Sequence, residues 1–94
     1  MGMASMARLE MTDGTTAAMA EAKPNGDDLF ELGITYSAGV EGKPDLVEAH
    51  KWFNLAAIRG NGAAASYRQE IAREMTAADV AVAQRAAREW LTRH

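Results

Sequence analysis

The stretch Leu29 to Gly60, LFELGITYSAGVEGKPDLVEAHKWFNLAAIRG, decides the fold because it reads as two amphipathic helices joined by a short loop. Leu29, Leu32, Gly33 and Tyr36 fall at i, i+3, i+4 and i+7, one stripe of a 3.6-residue helix and its expected core face. The breaker Lys23-Pro24-Asn25-Gly26 precedes this stripe and Gly39 follows it. A helix is therefore predicted from Asp27 or Asp28 to Gly39, with the two acids at the positive end of its dipole. Phe30, Ile34 and Ser37 lie roughly 100° around the helix from the stripe and form a second, partly apolar strip, so this helix needs two neighbours.

The second helix is predicted to start at Asp45, since Pro44 prevents it from running backwards and Asp45 and Glu48 are spaced for a capping box. Leu46, Ala49, Trp52, Phe53, Ala56 and Ala57 form its buried stripe, in which alanines admit a neighbouring backbone and aromatic rings fill the space above them. Gly60 is placed as its C-terminal cap. Glu48, Lys51, Leu55 and Arg59, with His50 and Asn54 near the boundary, are expected to face solvent.

Outward from this hairpin the pattern continues more faintly. Asn61 to Met75 predicts a third helix with Ala64, Tyr67, Ile71 and Met75 on one side. Thr76, with Asp79 three residues on, then caps a fourth whose stripe is Val80, Ala83, Ala87, Trp90 and Leu91. Superposing Thr76 on Asp45 places Ala87 on Ala56, so residues 61 to 94 read as a degenerate second hairpin that serves as a terminal cap, and residues 27 to 94 as one helical-repeat domain. Residues 1 to 26 are expected to be a mobile or weakly helical tail, the competing reading being a short helix that covers the first hairpin. They lack the apolar run of a secretory signal or a membrane span, and the chain is expected to be cytoplasmic.

Composition agrees with an all-α class. A chain of 94 residues makes one small domain. Much of its apolar fraction is alanine, and β-branched runs are scarce. The absence of cysteine excludes disulfides, thiolate metal sites and a cysteine nucleophile. The net charge of −3 conceals an asymmetry, −5 over residues 1 to 58 and +2 over residues 59 to 94. In the basic half Glu70, Glu74, Asp79 and Glu89 are interleaved with Arg68, Arg73, Arg85 and Arg88, which predicts a solvated helical face rather than a nucleic-acid footprint.

The residues Leu32, Gly33, Tyr36, Gly39, Asp45, Ala49, Trp52, Ala56, Ala57 and Gly60 together resemble the Sel-one-like repeats, helical-hairpin relatives of the tetratricopeptide repeats. The likeness covers about a third of the chain and departs from the family pattern at Glu41 and Gly42, where the family usually carries Gly-Val. It implies a short right-handed solenoid fragment of about four helices in two antiparallel hairpins. It also implies that the first helices of successive hairpins line a concave surface where partners dock.

Few residues invite chemistry. His50 and His94 are the only histidines and His94 is the last residue, so a metal or acid-base constellation would rest on His50 alone. Asp27 and Asp28 open a helix, and Gly60-Asn61-Gly62 has no preceding strand and no following Lys-Ser/Thr, so it reads as a turn rather than a phosphate loop. Trp52 and Trp90 lie on alanine-rich stripes and are expected to pack rather than to cage a ligand. No catalytic, metal or cofactor-binding residue is assigned, and no cofactor, nucleic acid or membrane partner is expected. The expectation is a non-catalytic adaptor, monomeric or homodimeric, that binds a protein or peptide through Phe30, Ile34, Ser37 and Tyr67, with Arg68 as a rim charge. The alternatives are a structural homodimer without a third partner and, less expected, a small-molecule-binding regulatory domain.

Overall fold

The computed structural model describes residues 24–39 and 42–94. Over this span the chain is all-helical: α1 (Gly26–Ala38), α2 (Leu46–Ile58), α3 (Ala64–Ala72) and α4 (Ala77–Arg93). Residues 1 to 23 of the tail expected over 1 to 26, and Val40 and Glu41 of the first loop, lie outside the described residues, while Asn25 and Gly26 of that span cap and open α1.

α1 starts one residue before the predicted position because Asn25 caps it. The Asn25 Oδ1 accepts the Asp28 N–H at 2.8 Å and the Asp28 carboxylate accepts the Asn25 N–H at 3.2 Å, a reciprocal capping box. Gly26, the first helical residue, is buried against the end of α2, where a Cβ would lie 2.8 Å from the Arg59 carbonyl oxygen and 2.9 Å from the Asn61 nitrogen. At the other end of α1, the Asp45 N–H donates to the Tyr36 carbonyl at 2.9 Å. The start of α1 therefore meets the end of α2, and its end meets the start of α2. The two helices are antiparallel, and midway along them Gly33 lets the Phe53 ring approach.

α2 is capped by Asp45, whose side chain accepts the Glu48 N–H at 3.1 Å, but the expected return bond is replaced. Asp45 gives its own N–H to Tyr36, while the Glu48 carboxylate accepts from Trp52 Nε1 at 3.1 Å and pairs with Lys51 Nζ at 3.2 Å. Gly60 closes the helix as expected. With φ at +97° its N–H reaches the Ala57 carbonyl at 3.1 Å and the Asn61 N–H reaches that of Ala56 at 2.9 Å, the paired bonds of a Schellman motif. α4 begins at Thr76, whose hydroxyl accepts the Asp79 N–H at 3.1 Å, as its sequence predicts.

α2 lies at the centre of the molecule. α1 packs on it most extensively, and α3 and α4 each pack more on α2 than on one another, so the second helix pair is looser than the first. One cluster of buried side chains results, Leu29, Ala49, Phe53, Leu55, Ala56, Ala64 and Ala87, with Ala83 buried as well. This corrects two expectations. Leu55 is fully buried and His50 is only 3% exposed, although both were expected to face solvent. Leu55 sits one turn from Trp52 and one turn from Arg59, and both of those touch Trp90 of α4, so the return of α4 closes the face on which Leu55 lies. Conversely, Leu32 is 37% exposed rather than core, because α2 meets α1 along Leu29 and Gly33 and α3 approaches from the side of Phe30, leaving the Leu32 side open.

Candidate interaction surface

α1 and α3 both pack on α2 and are joined to each other through side chains, and one asparagine sets their registration. Asn61 accepts the N–H groups of both Ala63 and Ala64 on its Oδ1, each at 2.9 Å, and so caps a helix whose own N-cap, Ala63, has no side chain to do so. Its Nδ2 donates to the Asp27 carboxylate at 2.9 Å, tying the start of α3 to the start of α1. One turn further on, Phe30 of α1 meets Tyr67 of α3 edge to face, with centroids 5.0 Å apart and planes at 86°. Phe53 of α2 forms the floor beneath them, 5.5 Å from Phe30 and 5.4 Å from Tyr67. Edge-to-face and tilted pairs at these separations each add about 0.5–1.5 kcal/mol beyond the area they bury.

The residues expected to bind a partner divide accordingly. Phe30 and Ile34 are half-buried and packed against the core, whereas Tyr67 keeps 44% of its surface exposed. Ser37 is half-buried and donates its hydroxyl back to the Ile34 carbonyl at 3.0 Å. Arg68 turns toward α2 and donates from Nη1 to Asn54 Oδ1 at 2.7 Å, so its guanidinium ties two helices together. Asp27 and Glu31 on α1 and Glu70 on α3 are exposed.

The tryptophans pack as expected. Trp52 and Trp90 meet edge to face at 5.7 Å and 81°. Lys51 Nζ sits 4.1 Å from the Trp52 centroid, and the Arg59 guanidinium sits 5.0 Å over Trp90, while Arg59 Nη1 also donates to the Pro24 carbonyl at 2.7 Å. Cations of the chain itself therefore occupy both aromatic faces. The C-terminal His94 stacks on Trp90 with centroids 4.2 Å apart. Asp27 and Asp28, the candidate carboxylate pair, are engaged by Asn61 and Asn25 respectively.

His50 stands apart. Its Nδ1 is buried and has no hydrogen-bond partner. Burial first, and the positive charge of Arg68 second, hold its pKa below the ordinary 6.5. Among the described residues no group of three or more His, Cys, Asp or Glu side chains is arranged to hold a metal, and no helix is long and apolar enough to cross a membrane. Comparison with protein-family models, curated proteins and solved structures gave no match.

The third helix, expected from Asn61 to Met75, spans only Ala64–Ala72, with Asn61 outside it as a cap, and Leu55 and His50 are buried where solvent was expected. A usable signal exists for the last two: α2 carries just Glu48 and Lys51 as charged residues over Leu46–Ile58, too few to furnish a solvated face. For Asn61 the signal is local, since an asparagine two and three residues ahead of two helical N–H groups is a natural cap.

Proposed function

We propose that this chain is a protein-interaction module of the Sel-one-like kind, whose α1/α3 face receives an apolar segment of a partner protein. The observation that carries the reading is Tyr67, a large aromatic left 44% exposed while it packs edge to face with Phe30 and lies tilted against Phe53. A rigid, amphipathic ring that is already immobilised loses little conformational entropy when a partner covers it, which is why such residues dominate binding energy at interfaces. Ile34, one turn along α1 from Phe30, extends the apolar strip, and the exposed Asp27, Glu31 and Glu70 supply a polar rim. Fixed helices thus present a preformed surface to which a peptide or helix contributes apolar anchors.

The test is the double substitution Ile34→Asp with Tyr67→Ser. Phe30 is left intact because its ring contacts both Phe53 and Tyr67, and since Ile34 also packs against the core the helical amplitude of the double variant is the control for folding. Partner capture from the native cell is expected to disappear while circular dichroism retains its helical amplitude. Capture that survives the double substitution, or a saturable thermal shift with a metabolite, contradicts the reading. A concentration-dependent mass in light scattering that the same substitutions abolish would assign the surface to self-association instead.

A further inference from the structure

We infer that the α2–α3 interface is a proton-sensitive latch, in which uptake of a proton by His50 unseats α3 from α2 while α1, α2 and α4 remain packed. His50 projects from α2 one turn before Asn54, the residue that receives Arg68 of α3, and it is 97% buried with Nδ1 unpartnered. The neutral ring is tolerated there. A protonated ring would place a buried, charged N–H donor without an acceptor beside a second cation.

The surrounding charges offer no relief. On α2 itself, Glu48 is engaged by Trp52 and Lys51, and Asp45 by the helix cap. On α3, Arg68 is the charge that bears on the ring, and the exposed Glu70 pairs with Arg73 at 3.3 Å. On α1, Asp27 and Asp28 are held by Asn61 and Asn25, while Glu31 is exposed and Tyr36 half-buried. On α4, Asp79, Arg85, Arg88, Glu89 and Arg93 are all exposed.

α3 is the element that gives way. It has nine residues, shorter than a helix that holds itself together in water, and Ala64 is its one fully buried residue. Its polar tie to α2 is the Arg68–Asn54 bond, adjacent to the new charge. α4 is anchored on α2 independently, through Ala83, Ala87 and the Trp52–Trp90 contact.

The closed state binds the proton more weakly than the open one, so the stability of the latch is fully present above the ordinary pKa of 6.5 and is lost as the pH falls below it. With one proton taken up on opening, the opening constant should rise roughly tenfold per pH unit in that window. Amide hydrogen exchange of the full chain, corrected for intrinsic chemistry and followed from about pH 7.5 to about pH 5, reads this directly. The amides of Tyr67 to Ala72 are expected to show the tenfold-per-unit rise, and those of α1 and α4 are expected to lack it. His50→Phe should flatten the α3 response, and Arg68→Gln should shorten its pH range by removing the neighbouring charge. If α3 responds no more than α1 and α4, or if the slope persists in His50→Phe, the latch does not exist. Should His50→Phe fail to fold, the wild-type imidazole resonances decide: a folded-state titration midpoint at the ordinary value overturns the inference.

Discussion

Gly33 shows how the absence of a side chain sets the distance between α1 and α2. A Cβ at this position would come within 2.5 Å of Phe53 Cδ1 and Cε1, and Phe53 is completely buried, so its ring has nowhere to go. Alanine should gain up to about 1 kcal/mol of helix propensity and lose about 1–3 kcal/mol to overpacking. Gly33→Ala is therefore expected to lower the denaturant midpoint at an unchanged m-value. Leu55 and Leu32 provide a paired comparison. Leu55→Ala should cost about 2–5 kcal/mol, the range for a fully buried leucine, whereas Leu32→Ala should stay within about 0.5–1 kcal/mol because the side chain is over a third exposed. Urea melts of both variants check this, and equal losses would show that the assignment of faces is wrong. Helical periodicity by itself ranks these two leucines the other way round. It gives the angle at which a side chain leaves its helix but not how many neighbours surround that helix, and α2 has three.

At the scale of elements four helix termini were legible, whereas the start of α1 and both ends of α3 fall elsewhere than expected. Asp45, Thr76, Gly39 and Gly60 end or begin helices where their chemistry places them, because caps depend on residues a few positions apart. What local rules miss is a cap whose second function is tertiary. Asp45 keeps only half of its box because its N–H is needed by Tyr36, and Asn61 caps α3 while holding Asp27 of α1. Asn61→Ala should accordingly cost about 1–2 kcal/mol, more than a simple surface cap, since an interhelical bond goes with the cap. Its signature would be faster exchange confined to the first turns of α3 and α1. Uniform loss of protection throughout the chain would instead make Asn61 part of the global core.

For the whole molecule, class and helix order follow from alanine-rich stripes and glycine or proline breaks, all of which are local signals. The position of the candidate face is different. Phe30 and Ile34 were legible as a strip separate from the core stripe, yet only the packing of α3 shows that Phe30 belongs partly to the core and that Tyr67 is the more exposed ring. Arg68, which by register could serve as a rim charge, is drawn inward by Asn54, a contact between helices that no spacing within either one encodes. In the proposed function the aromatic seam of Phe30, Phe53 and Tyr67 joins stability to recognition, its inner rings holding three helices together and its outer ring being the one offered to a partner. Photo-crosslinking in the native cell tests this most directly, with a photoreactive phenylalanine analogue placed at position 67 and, as a control, at Arg85 on the exposed side of α4. A discrete protein adduct from position 67, lost when Ile34→Asp is added and missing from position 85, is the predicted result. An adduct from position 85 alone, or one from position 67 that ignores Ile34→Asp, would contradict the placement of the binding surface on α1 and α3.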